Sequence, residues 1–177
     1  MLYLFIDCEF TDFKQMDLIS LGIVSEDGKH EFYVEITDHI ADYRSDFVNQ
    51  VVIPLLDTAK YGKSYQWAAL HLREWLDALP ADQITVVVDY VGDWHLFSEM
   101  LKVQPSSKKL NAQLLNHSFL HMLHSRGIHT QEGLNRGFAA LTNEMSNYFS
   151  IDPRQHHALV DAKANRYGWV KGYEAAK

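Results

Sequence analysis

The stretch MLYLFIDCEFTDFKQMDLISLGIVSEDGKHEFYVEI, residues 1–36, reads as three β-strands in succession. Residues 2–6 are apolar and lead directly into Asp7-Cys8-Glu9, and residues 18–24, LISLGIV, form a second apolar run that ends at the turn Glu26-Asp27-Gly28-Lys29. From residue 30 to 36 the pattern alternates, with Phe32, Val34 and Ile36 pointing one way and Glu31, Tyr33 and Glu35 the other. That period of two is expected of an antiparallel strand with one solvated face. The opening is therefore a three-stranded meander, and its first strand carries two carboxylates at its end.

Working outward, residues 38–63 have no clear period and contain Pro54, so short helices and irregular chain over the sheet edge are expected. Ser64 is a candidate N-cap for a helix reaching Leu79, with Trp67, Leu70, Leu72, Trp75, Leu76 and Leu79 as its apolar stripe before Pro80. Residues 84–88 form a β-branched strand that enters Asp89-Tyr90-Val91-Gly92-Asp93, and helical spacing resumes from Trp94 to Val103. Helices are expected again over residues 118–125, 135–149 and 158–174, and a short strand over 112–115. Strands followed mostly by helices predict an α/β fold, a mixed β-sheet flanked by helices, in a single domain spanning residues 1–177.

Composition sets broad limits. Of the 177 residues 47% are hydrophobic and 22% charged, which is ordinary for a globular protein. The one cysteine, Cys8, lies in an apolar run, so no disulfide framework is expected and a reducing cytoplasmic location is. The first ten residues lack a basic segment and meet acids early, so they read as a buried strand rather than a signal peptide or membrane span. A net charge of −7 argues against a non-specific nucleic-acid coat protein, whose affinity comes from Lys and Arg. It does not argue against a nuclease, because bound divalent ions reverse the local field of a carboxylate cluster.

Strand side chains alternate faces, so Asp7 and Glu9 project together, and hard oxygen donors of this kind suit Mg²⁺ or Mn²⁺. Asp93 stands just past a strand at the entrance to a helix, with Asp89 as a competitor for the same role and helix capping as the plainer explanation for either. In HHALVDAKANR, residues 156–166, Asp161 has two imidazoles upstream. His157 at i−4 shares its face on an unbroken helix, whereas His156 can reach it from a preceding loop. Either could accept a proton from water.

Together these residues resemble the DEDDh 3′-to-5′ exonucleases of the ribonuclease H-like fold. The resemblance rests on three separated motifs: Asp7-x-Glu9 followed by LISLGIV, an Asp in the second motif, and His-x-Ala-x-x-Asp-Ala, here residues 156–162. More narrowly, Asp7-x-Glu9-Phe10 followed by LISLGIV and the acidic turn at Asp27-Gly28 is similar to a small group of bacterial and phage exoribonucleases, a resemblance that covers most of the chain loosely. The resemblance implies a ribonuclease H-like sheet and two Mg²⁺ ions, with Mn²⁺ as substitute, held by Asp7, Glu9, Asp93 and Asp161. It makes His156 the general base rather than His157, and gives Asp89 the secondary place. It also implies single-stranded RNA or DNA 3′ ends as partners, release of nucleoside 5′-monophosphates, and a homodimer. Phe10-Thr11 stands where many proofreading members have Thr-Thr-Gly, so terminal-nucleotide contacts do not carry over there. Phe10 is a candidate for base stacking, and Thr11, Asp89, His157 and Arg166 for other substrate contacts. The competing classes are an inert nucleic-acid-binding domain of the same fold, a 3′-to-5′ exodeoxyribonuclease, and a ribonuclease H-like endonuclease or nucleotidyl transferase.

Overall fold

The computed structural model describes all residues from Met1 to Lys177. Its centre is a six-stranded mixed sheet: β1 (Leu2–Phe10), β2 (Leu18–Ser25), β3 (Glu31–Ile36), β4 (Gly62–Lys63), β5 (Gln83–Val88) and β6 (Lys109–Leu114), in the order β4-β3-β2-β1-β5-β6. The meander β1-β2-β3 is antiparallel, while β5 pairs parallel to β1 and β6 parallel to β5. This single-domain α/β arrangement is compatible with a ribonuclease H-like sheet.

The alternation of β1 divides the core. Leu4, Ile6 and Cys8 pack under α2 (Tyr65–Ala78) and α3 (Val91–Val103) on one face. Tyr3 and Phe5 pack on the other under α4 (Leu115–Ser125), α5 (Gln131–Tyr148) and α6 (Ala158–Ala176). Trp169 of α6 anchors this second layer, with its ring 5.1 Å from Phe5, 5.4 Å from Tyr3 and 5.7 Å from Phe119. Asp7 and Glu9 continue the parity of Tyr3 and Phe5, so they emerge on the α6 side.

Segment 38–61 is built as expected, from short helical turns at Ala41–Tyr43, Val48–Val52 and Ile53–Leu55 and a four-residue α1 (Thr58–Tyr61). Two expectations need correcting. Trp67 is not core but 59% exposed, because α2 meets the sheet along Ala68, Leu72 and Leu76, a line one residue and about 100° away. The face of β3 expected to be solvated is so only at its start: Glu31 is exposed and Tyr33 half-buried, but Glu35 is fully buried beneath the chain that returns over the edge.

Gly22 of β2 lets α6 lie against the sheet. A Cβ there would sit 2.2 Å from the Leu159 nitrogen and 2.3 Å from the Ala158 carbonyl carbon. Both are backbone atoms that cannot swing aside. Gly22→Ala is therefore expected to destabilise the protein by at least about 2 kcal/mol through overpacking, lowering the melting temperature by roughly 4–8 °C. An unchanged melting curve would contradict this packing.

Candidate active site

The carboxyl end of β1 and the parallel strand β5 open into the same cleft. Phe5 is in register with Val87, so the residues following β5 run alongside Asp7. The chain then turns into α3, whose N-cap is Tyr90 and makes no side-chain cap bond. Asp93 is therefore no cap: it lies inside the first turn, is 2% exposed, and faces the site. Neither acid is the N-cap, although the Tyr90 backbone N–H reaches the Asp93 carboxyl from the start of the helix.

Across the cleft, the chain enters α6 through His156, the one non-glycine residue with positive φ, at 68°. An L-residue rarely adopts this left-handed conformation, and such positions cluster at functional sites. The turn lets the His156 N–H donate to Asp161 Oδ2 at 3.0 Å. The imidazole meets the edge of Phe47, with centroids 5.0 Å apart.

Two triads of ligand atoms result. Glu9, His156 and Asp161 have donor atoms all within 4.8 Å of one another, and so do Asp7, Asp89 and Asp93. They share one cleft of about 640 Å³, which Phe10, Phe13, Phe47 and Tyr90 also line. Six carboxylates, counting Asp12, and no Lys or Arg border it.

Burial, and then the crowding of like charges, shifts these acids together. Burial, then Asp93 and the other acids, raises Asp7 well above the usual carboxylate range. Burial, then Asp161 and Asp93, lifts Glu9 to about 8. Asp93 rises to about 8 through burial and the Asp89 charge. Asp161 rises to about 7 through burial, even though the His156 N–H opposes the shift. Asp161 Oδ1 is buried without a hydrogen-bond partner. Clustered oxygen donors, mutual repulsion and an orphaned carboxylate oxygen fit a site for hard divalent cations.

Of the substrate-contact candidates, Phe10 and Asp89 line the cleft and three do not. Thr11 is fully buried: its hydroxyl donates to Gln15 O at 2.6 Å and accepts from the Asp17 N–H at 3.0 Å, closing the loop after β1. Arg166 lies at the opposite end of the sheet, donating from Nε to the Glu26 carbonyl at 2.8 Å in the β2–β3 turn. His157, only 5% exposed, is turned away and stacks on Tyr33 at 4.5 Å. Burial and then the Arg154 charge push its imidazole below its ordinary value.

The sequence reading missed Phe13, Tyr90 and Phe47. Phe13 is 74% exposed, yet its ring centroid is 5.2 Å from Phe10 and 6.0 Å from Tyr90. Phe10 and Tyr90 are stacked at 6.2 Å. The available signal was aromatic residues beside the motif acids in stretches without helical or strand period.

No protein-family model and no curated protein matches the chain. No helix is long and apolar enough to cross a membrane. The site belongs to the class of carboxylate clefts at strand ends of a mixed α/β sheet.

Proposed function

We propose that this chain is a metal-dependent 3′-to-5′ exonuclease of the DEDDh type, acting on single-stranded RNA or DNA ends. The observation that carries the reading is the convergence of Asp7 and Glu9 from β1, Asp93 from α3, Asp161 from α6 and His156 from the turn into α6, in one cleft. The resemblance to bacterial and phage exoribonucleases favours RNA.

Asp7, Glu9, Asp93 and Asp161 would hold two Mg²⁺ or Mn²⁺ ions, with Asp89 beside Asp7 and Asp93 as an additional oxygen donor. Bound there, divalent cations supply charge for the phosphate and activation of the attacking water. His156 takes the proton of that water as its oxygen bonds to phosphorus and the bond to the preceding nucleotide's 3′ oxygen breaks; that oxygen takes a proton from solvent, leaving a new 3′-hydroxyl end and a free nucleoside 5′-monophosphate. The hydrogen bond from the His156 N–H keeps Asp161 oriented while the imidazole faces Glu9. Phe10, Phe13 and Tyr90 offer aromatic faces to unpaired bases, and stacking of this kind is tolerant of sequence.

The test is a time course with 5′-labelled RNA and DNA oligonucleotides in Mg²⁺, Mn²⁺ or EDTA. The expected result is a ladder shortening from the 3′ end with either metal, no cleavage in EDTA, and an untouched circular single strand. Random internal cleavage, or activity that survives EDTA, overturns the proposal.

A further inference from the structure

The buried face of β3 contributes no residue to the cleft, yet it lies in register with it. Across the meander, Asp7 pairs with Gly22 and Gly22 with Tyr33, while Glu9 pairs with Ser20 and Ser20 with Glu35. Paired residues share a face, so Tyr33 and Glu35 stand two strands from the carboxylates on the same side, about 10 Å away at ordinary strand spacing. The start of α6 bridges the gap, resting on Gly22.

Contacts run continuously along that line. The Tyr33 ring lies nearly parallel to His157, 21° from coplanar, at 4.5 Å between centroids, with Tyr61 edge-on to it at 5.0 Å. The Tyr33 hydroxyl donates to Glu35 Oε1 at 2.9 Å, and the same oxygen accepts the Asp57 N–H at 2.9 Å, where α1 begins. Glu35 is fully buried and its Oε2 has no partner. Such a group is costly in a core, and an apolar residue would fill the space more cheaply.

His157 is where this chain of contacts meets the cleft. Its carbonyl accepts the N–H groups of Val160 at 2.7 Å and Asp161 at 3.0 Å, so it starts α6 and holds the Asp161 backbone. Its preceding neighbour is His156, in the left-handed turn. Moving His157 therefore moves the imidazole and the carboxylate that face Glu9.

We infer that Glu35, Tyr33 and His157 form a positioning brace that holds the His156 turn and Asp161 against Glu9. Glu35 anchors Tyr33 to the backbone of α1, Tyr33 anchors His157 by stacking, and His157 sets the first turn of α6. None of the three lines the cleft, so each acts through the residues it places. The inference rests on the metal-dependent reading of the site for its kinetic consequence, but not for its structural one.

The test compares Tyr33→Leu, which removes ring and hydroxyl, with Tyr33→Phe, which keeps the ring. Three readouts are taken: melting temperature, Mn²⁺ affinity of EDTA-stripped protein by calorimetry, and kcat and KM on a 5′-labelled oligonucleotide. Tyr33→Leu is expected to weaken Mn²⁺ binding and to lower kcat by 10- to 100-fold with KM within twofold, the range for residues supporting metal ligands. Tyr33→Phe keeps the stack on His157 but loses the bond to Glu35, so its Mn²⁺ affinity and kcat should fall between those of Tyr33→Leu and the parent. If Tyr33→Leu fails to fold, His157→Ala takes its place, since it removes the stack but keeps the backbone that starts α6; the same losses are expected. A folded Tyr33→Leu or His157→Ala with parental Mn²⁺ affinity and kcat overturns the brace. If the parent protein binds Mn²⁺ but degrades no oligonucleotide, the exonuclease reading fails, and the Mn²⁺ comparison alone then decides the brace.

Discussion

Asp7→Asn is expected to abolish oligonucleotide cleavage and, in the same protein, to raise the melting temperature of the metal-free form at pH 8. The two effects share one cause. Burial and the charges of Asp93, Glu9, Asp161 and Asp89 raise Asp7, so above its ordinary carboxylate range an ionisable side chain here costs the fold stability that Asn does not cost. Glu9 moves from 4.5 to about 8, Asp93 from 3.8 to about 8, and Asp161 from 3.8 to about 7. A group whose pKa is raised on folding stabilises the protein below its unfolded value, and that contribution is lost as pH rises through the folded one. Metal-free protein should therefore lose stability between about pH 4 and 8 as these groups ionise together. A tenfold change in a group's proton affinity on folding is worth about 1.4 kcal/mol, and for a chain of this size each kcal/mol moves the melting temperature by about 2–4 °C. An uncharged isostere at position 7 removes that cost, so the melting temperature of the variant should exceed the parent's at pH 8 and by much less at pH 5. Added Mg²⁺ or Mn²⁺ should stabilise the parent by mass action and leave Asp7→Asn almost unmoved. The reading fails if the variant's melting temperature tracks the parent's at every pH, with and without metal.

His156→Ala is expected to lower kcat by about 10²–10⁴-fold, the range for loss of a general base, with Mn²⁺ affinity within a few-fold of the parent. Asp161→Asn should lower kcat at least as far and weaken Mn²⁺ binding as well, because Asp161 is a proposed ligand as well as the acceptor of the His156 N–H. The contrast separates the two roles. His157→Ala provides the third point of comparison, since loss of the stack on Tyr33 should cost less than loss of the base. Undiminished turnover in purified, folded His156→Ala would remove it from the mechanism.

The parts of this site that could be read from the sequence are those set by local periodicity. A period of two places Asp7 with Glu9 whatever the rest of the chain does, and the apolar run before them requires a buried strand. The strand after α2 and the helix carrying Asp161 were legible for the same reason. The choice between His156 and His157 was not, because helical spacing favours His157 and only the family motif favours His156. In the folded chain His156, in its left-handed turn, lines the cleft, while His157 is committed to Tyr33. Asp89 and Asp93, treated as competitors, are brought together with Asp7.

What failed to be legible depends on which surfaces other segments cover. Glu35 alternates as a solvent-facing residue should, yet the turn into α1 supplies it a backbone donor and the chain encloses it. Trp67 belongs to an apolar stripe, yet the sheet accepts Ala68, Leu72 and Leu76 and leaves the indole outside. Arg166 lies on the helix of Asp161 but five residues along, and its guanidinium is used at the far end of β2. The α/β order of elements and the pairing of Asp7 with Glu9 are written in the chain, because covalent spacing and backbone period act within a few residues. The convergence of five carboxylates and one histidine in one aromatic-lined cleft, with Tyr33 and Glu35 standing behind His157, is a property of the folded molecule. Those relations join residues as distant in the chain as Asp7 and Asp161, and they follow from strand order, crossover and packing rather than from local pattern.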